Sequence, residues 1–247
     1  MTPYYERDGI VIYHGDCRDV LPTLEAVDHV ITDPPYSETT HAGARSLLSD
    51  IGSGGTGDNA GRIDFAATDA TSIRDVFTLG NAKRWTIATV DWHHIGPLEA
   101  CPPRGLRFVR FGVWVKPNGA PQFTGDRPAQ GWEAVAVLHA LGGKMRWNGG
   151  GNRAVWTHNV AHGEHPTEKP MGLLRELVSL FTDPGETIID PFMGSGTTLL
   201  AAFNLGRKAI GIELEEKWAH VAAERLRTAT APMPLYVSPP ATQEVLL

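Results

Sequence analysis

Asp33-Pro34-Pro35-Tyr36 ends the apolar run Val27-Asp28-His29-Val30-Ile31-Thr32, and its residue types suit chemistry on an amine. The lone pair of an aromatic NH2 group is delocalised into its ring, which makes it a poor nucleophile. A carboxylate (Asp33) and a backbone carbonyl (Pro34) accepting its two N–H bonds would draw that lone pair back onto nitrogen. They would also stabilise the positive charge that grows as the nitrogen attacks a methyl group. Pro34 and Pro35 stop the strand and fix the carbonyl's direction. Tyr36 offers a flat face on which a base can stack. A proline turn with an N-capping aspartate is the plainer reading of the same four residues.

A second constellation lies far down the chain. Asp190 ends an apolar strand, Gly194-Ser195-Gly196 forms a turn before a helix, and Glu213 closes the next strand. Glycines let the backbone approach a ligand, and an acid about 20 residues beyond such a turn accepts hydrogen bonds from ribose hydroxyls. The loop is not G-x-G-x-x-G, and no lysine supplies a phosphate cradle. A carboxylate at its entry repels pyrophosphate and favours an ammonium or sulfonium, which points to S-adenosylmethionine rather than NAD or ATP. Alone, the motif reads equally well as a glycine turn that packs a helix on a sheet.

These residues need a sheet to position them. Gly9–Tyr13, Val27–Thr32, Arg84–Val90, Phe108–Lys116, Trp132–His139, Glu186–Asp190 and Lys208–Glu213 read as strands. Asp69–Gly80, Pro170–Phe181, Thr197–Leu205 and Glu215–Arg227 read as helices, with Gly206 as a left-handed stop. Phe108–Lys116 and Trp132–His139 flank the turn Pro117-Asn118-Gly119 and form a candidate antiparallel pair. Residues 37–62 are rich in Gly, Ser and Thr and read as a mobile loop. Residues 230–247 are Pro-rich and read as a disordered tail.

Length and composition set the frame. The chain has 247 residues, 42% hydrophobic and 20% charged, which suits one α/β domain over 1–229. Its two cysteines, Cys17 and Cys101, allow neither a disulfide framework nor a cysteine-rich zinc site. No signal pattern or membrane-length apolar run occurs, so a cytoplasmic protein without membrane association is expected. The net charge of -6 is uneven: Lys83–Arg153 carries ten basic and four acidic residues. That asymmetry permits a local anionic partner. His158, His162 and His165 stand in a glycine-rich stretch without a cysteine partner and are read as structural, so no metal is expected. Asp91-Trp92-His93-His94 follows a strand and borders the expected cleft, with a structural role favoured.

Taken together, the motifs resemble the amino-directed DNA methyltransferases, which methylate adenine N(6) or cytosine N(4). Asp33-Pro34-Pro35-Tyr36 looks like their catalytic motif, and the stretch Asp190-Pro191-Phe192-Met193-Gly194-Ser195-Gly196-Thr197-Thr198 looks like their cofactor motif. His165-Pro166-Thr167-Glu168-Lys169-Pro170 and Gly15-Asp16-Cys17 resemble two further motifs, and the permuted order is that of the β group. The resemblance implies a Rossmann-like fold: a seven-stranded, mostly parallel sheet with an antiparallel strand and helices on both faces. It implies that Asp33, Pro34 and Tyr36 hold a flipped base, with Pro35 beside them. It implies that Asp190 meets the amino end of S-adenosylmethionine, and that Gly194, Ser195, Gly196 and Thr197 shape its pocket. Phe192 would lie against the cofactor, Glu213 bind its ribose, Asp16 its adenine amine, and Thr167 and Lys169 its carboxylate end. DNA is the implied partner, and homodimers are common in the family.

The region left for target recognition, 142–164, is small, with the 37–62 loop as the other candidate, which suits a short or relaxed site or help from a second subunit. Within it Arg146, Trp147, Arg153 and Trp156 read either as contacts to DNA backbone and bases or as loop anchors. Asp at the first position of the catalytic motif goes mostly with adenine in the family, so adenine is preferred. A cytosine-N(4) enzyme and a DNA-binding module without catalysis are the alternatives.

Overall fold

The computed structural model describes residues 1–35, 70–123, 125–161 and 168–230. Tyr36, the 37–62 segment, His162, His165, Thr167 and the tail beyond Thr230 lie outside the described residues. The strands are β1 (Tyr5–Arg7), β2 (Ile10–His14), β3 (His29–Thr32), β4 (Trp85–Val90), β5 (Leu106–Val115), β6 (Trp132–Ala140), β7 (Val155–Thr157), β8 (Thr187–Asp190) and β9 (Lys208–Glu213). They form one sheet in the order β1-β2-β9-β8-β3-β4-β6-β5-β7. The seven expected strands are all present. The two additions, β1 and β7, are three-residue strands at the sheet's edges, too short to leave a periodic signal in the sequence.

β2, β9, β8, β3 and β4 run parallel to one another, whereas β6 runs antiparallel to both β4 and β5. Every residue of β3 and β4 is buried, as expected of central parallel strands covered on both faces. Alternate residues reach opposite faces. Ile31, Ile87 and Ile188 pack against α4 (Met171–Phe181), α5 (Thr197–Asn204) and α6 (Glu216–Thr230). On the other face, Val30, Ile189 and Ile212 meet α1 (Cys17–Val20) and α2 (Ala70–Leu79). Ala88 and Val90 meet α2 and α3 (Ile95–Ala100). Leu173, Leu174, Leu177, Val178 and Phe181 put one face of α4 into the core, and the helical spacing expected from Pro170 onward is confirmed.

The 142–161 stretch is packed down on this frame. Trp156 on β7 is 1% exposed and sits near Phe181, with ring centroids 6.5 Å apart. Its ring occupies the space over Gly112 of β5, where an added Cβ would come within 2.4 Å of a ring carbon. A ring buried in this way cannot stack on a base, so the DNA-contact reading of Trp156 is corrected to a core anchor. Trp156→Ala is expected to lower unfolding stability by about 3–5 kcal/mol in urea titrations, the usual cost of removing a buried large aromatic. A base-stacking side chain would instead weaken DNA binding with little loss of stability.

Candidate active site

In chain order β3 leads on to β4, on one side of the sheet, while β8 leads on to β9 on the other. β3 and β8 are themselves parallel neighbours. The crevice beyond their carboxyl ends is thus a topological switch point, the place where open α/β sheets bind ligands. β8 ends at Asp190, and Asp33 follows β3 directly. The two constellations, separated by more than 150 residues of sequence, share one edge.

Asp190 is 2% exposed. Its Oδ1 accepts hydrogen bonds from Thr32 Oγ1 at 2.6 Å and from the Phe192 N–H at 3.1 Å. Burial pushes its pKa up to about 6, and the neighbouring Asp33 charge adds to the rise, while the bonds from Thr32, Thr198 and Phe192 oppose it. The turn that follows is built to bring backbone close. Gly196 has φ +79°, and a Cβ there would meet the Ala222 Cβ at 2.8 Å, so glycine is required. The Gly194 N–H donates to Glu213 Oε2 at 2.9 Å, and the Glu215 N–H donates to Oε1 at 2.8 Å. Burial raises the pKa of the Glu213 carboxyl, countered by these backbone bonds.

Asp33 has its own set of partners. Thr89 Oγ1, on β4, donates to Oδ1, and Lys169 Nζ donates to Oδ2 at 2.6 Å. Burial raises the Asp33 pKa against the pull of Lys169, and Glu133 adds to the rise. Lys169 Nζ also lies 3.6 Å from Glu133 Oε2, and Lys116 pairs with Glu133 Oε1. Burial works against the Lys169 charge, but the Asp33 and Glu133 carboxylates outweigh it and raise its pKa. Glu133 reaches this edge because β6 is antiparallel: its first residues pair with the last of β4, Ala134 opposite Val90.

The structure revises several expected roles. Lys169 sits on Asp33 rather than standing clear for a ligand carboxylate. Ser195 and Thr197 are almost fully buried, and Arg225 of α6 binds both hydroxyls. Thr197 also donates to Glu168, which pairs with Arg225 at 2.8 Å. The two hydroxyls brace the turn. Phe192 is half-buried against the cluster that holds Val20, Val27 and Ile212. Asp16 lies just past β2, next to β9, where the Gly15 N–H donates to the Glu213 carbonyl. Its carboxylate caps α1 and is engaged by Arg18 through both backbone N–H and guanidinium; the Arg18 bonds hold its pKa below the usual range.

Arg146 and Trp147 lie at the opposite edge of the sheet. β6 ends there, because it runs against β4, and the chain continues past the start of β4. The Arg146 carbonyl accepts from Trp85 Nε1 at 2.6 Å, and its guanidinium reaches Asp183 at 3.1 Å. Trp147 packs on Phe181 with ring centroids 5.0 Å apart and donates to the Gly150 carbonyl. Both are loop anchors remote from Asp33, so their DNA-contact reading is corrected. Arg153 remains exposed just before β7. His158 pairs with Glu176 at 2.7 Å, consistent with its structural reading. Asp91 N-caps a 3-10 turn at the end of β4 and holds His93, while Trp92 is 50% exposed against the His93 ring.

Thr32, Thr89, Glu133 and Arg225 were missed from sequence. Thr32 and Thr89 carried a faint signal as strand-end hydroxyls beside the expected edge, whereas Glu133 and Arg225 become legible only once the strand order is known.

The donor set fits S-adenosylmethionine. Asp190 and Glu213 flank the tight glycine turn, and two carboxylates so placed attract an ammonium and a sulfonium, accept from ribose hydroxyls, and repel phosphate. Because the Asp190 pKa is raised to about 6, it must lose its proton to hold a cation. Affinity for S-adenosylmethionine is therefore expected to be level above pH 6 and to fall below it, approaching about tenfold per pH unit. Calorimetric dissociation constants from pH 4.5 to 8 check this, and a pH-independent affinity would contradict it.

Residues 27–224 match the family model described as DNA methylase, the N6/N4 methyltransferases. The chain is 27% identical over 263 residues to the Type II methyltransferase M2.MboI of Moraxella bovis, covering 93% of each. It is 26% identical over 258 residues to the Type II methyltransferase M2.LlaDCHI of Lactococcus lactis subsp. cremoris, covering 91% of each. Among solved structures, the crystal structure of the M1.HpyAVI–SAM complex superposes with a TM-score of 0.67 at 26% identity, over 87% of this chain and 99% of that one. With the family match spanning most of its length and both motifs meeting at one sheet edge, this chain belongs to the N6/N4 DNA methylase family.

Proposed function

We propose that the protein is an S-adenosylmethionine-dependent DNA methyltransferase that modifies the exocyclic amine of adenine at N(6), in the manner of a site-specific modification enzyme. The observation that carries this reading is the short bridge between the two carboxylates: Thr32, next to Asp33 in the chain, donates directly to Asp190. A donor held by Asp190 would thus lie within reach of an amine held by Asp33. The cofactor supplies an electrophilic methyl group, and every other part of the task falls to the chain. Asp190, the Gly194–Gly196 turn and Glu213 would orient the donor, with Glu213 keeping lone pairs for ribose hydroxyls. Asp33, fixed by Thr89 and Lys169, accepts N–H bonds from the target amine and stabilises the charge that grows on it. The Pro34 carbonyl is the second acceptor.

The target nitrogen is inaccessible inside a duplex, so the base must leave the stack at a cost of a few kcal/mol. The groups that would meet the DNA lie on the carboxyl edge. The connection from β5 to β6 leaves from this edge and returns to it, and it carries Phe123, 70% exposed, and Arg127. Trp132 and Trp92 are also exposed there. These residues replace Arg146, Trp147 and Trp156 as the stacking and phosphate-binding candidates. Asp33 as the gripping residue favours adenine over cytosine by family association.

Asp33→Ala should abolish methyl transfer while leaving the S-adenosylmethionine dissociation constant nearly unchanged. Equal loss of both would remove Asp33 from the base side. Methylating random DNA and sequencing it with modification-sensitive reads identifies base and context together; N(4)-methylcytosine would overturn the adenine assignment. Phe123→Ala should weaken DNA binding by about 1–3 kcal/mol, the scale of one lost base–aromatic stack. Fluorescence anisotropy at fixed salt measures that change, and unaltered affinity would place the DNA elsewhere.

A further inference from the structure

Asp33 is the first member of a chain of four alternating charges. Lys169 donates to it, Glu133 lies 3.6 Å from Lys169, and Lys116 closes the row on Glu133. The members come from the end of β3, the segment before α4, the start of β6 and the end of β5. Lys169, Glu133 and Lys116 are each less than a fifth exposed in their side chains. A catalytic carboxylate needs neither a second acid nor a second base nearby for its geometry, since Thr89 and Lys169 already fix both of its oxygens. Burying two further charges beside it costs desolvation energy, so their presence calls for a role.

A lysine given wholly to Asp33 would neutralise it. The paired carboxylate would then be a poor acceptor for the weakly acidic N–H of an aromatic amine and would stabilise little positive charge. Glu133 competes for the same ammonium and leaves Asp33 electron-rich. Lys116 in turn pairs with Glu133 and limits how much of Lys169 it takes. We propose that Glu133 is a positioning residue for methyl transfer, set by Lys116, that divides the charge of Lys169 between two carboxylates and so keeps Asp33 a strong acceptor. The proposal rests on Asp33 gripping the target amine.

The charged groups facing Asp33 are Lys169, Glu133 and Asp190, with Lys116 behind Glu133. Removing the negative Glu133 concentrates Lys169 on Asp33, so Asp33 ionises more easily and accepts less strongly. Removing the positive Lys116 does the reverse for ionisation. With cofactor and DNA saturating, kcat reports groups in the bound complex, where Asp190 is already committed to the donor.

Glu133→Gln should lower kcat by about tenfold, on the scale of one weakened charge contact in a transition state. It should move the acid limb of the kcat profile to lower pH by about one pH unit. The S-adenosylmethionine dissociation constant should stay near that of the parent, while the unfolding midpoint should fall because Lys116 loses its partner. Lys116→Met should move the same limb to higher pH. Glu133→Asp should recover part of kcat. Limbs that stay put, or that move the same way in both variants, overturn the proposal. Should Glu133→Gln fail to fold, the upward movement in Lys116→Met decides the matter alone. Asp33→Asn run alongside separates the two levels: an active Asn variant overturns the gripping role itself, whereas an inactive one with unmoved limbs elsewhere overturns only the part assigned to Glu133.

Discussion

Two carboxylates held side by side at a buried sheet edge repel each other, and most of the site exists to make that arrangement tolerable. Asp33 and Asp190 face the same crevice, and each raises the other's cost of ionisation on top of the penalty of burial. The remedies differ on the two sides. Asp190 is stabilised by neutral donors, the hydroxyls of Thr32 and Thr198 and the Phe192 amide, and it remains raised to about 6. Asp33 instead faces a cation, Lys169, which it shares with Glu133. This asymmetry matches the tasks. On the proposed reading, the residue that holds a positively charged donor is left short of positive charge, and the residue that works on a neutral amine has only a shared cation beside it.

That arrangement depends on a strand order the chain reaches indirectly. β8 and β9 come last in sequence but lie between β2 and β3 in the sheet. Their insertion sets the Gly194–Gly196 turn next to the Asp33 motif, and it brings the end of β2, with Gly15 and Asp16, alongside Glu213. The antiparallel course of β6 has an equally specific effect. A parallel strand beside β4 would present its carboxyl end to the cleft, whereas β6 presents its beginning, and Glu133 with it.

Much of this was readable before any coordinates. The apolar runs marked the seven main strands to within two residues, since buried parallel strands are nearly continuous hydrophobic segments, and the four motifs pointed to the fold and the cofactor. What escaped the sequence was mostly tertiary. Nothing in the spacing of Trp147 or Trp156 separates an aromatic that stacks on a base from one that packs on Phe181. The difference is which edge of the sheet the chain has reached. The seats of Lys169 on Asp33 and of Ser195 and Thr197 on Arg225 are of the same kind, because each joins elements far apart in sequence.

The two edges of the sheet divide the work. At the amino edge, Glu186 binds His29 at 2.9 Å and pairs with Arg84, while Asp183 takes Arg146. Asn148 ties the chain to the end of α4 through the Ser179 and Thr182 carbonyls. Burial lowers the His29 pKa and keeps its ring largely neutral, so this cluster holds strand starts together and offers no group for catalysis. The stretch after β6 is consumed by these anchors and by the burial of Trp156. Among the described residues little of it is left to read a DNA sequence, which fits recognition by groups on the carboxyl edge. Few such groups are exposed among the described residues, and each well-placed contact discriminates by only about 1–3 kcal/mol. A recognition segment spent on holding the sheet fits the short or relaxed target site expected from the sequence.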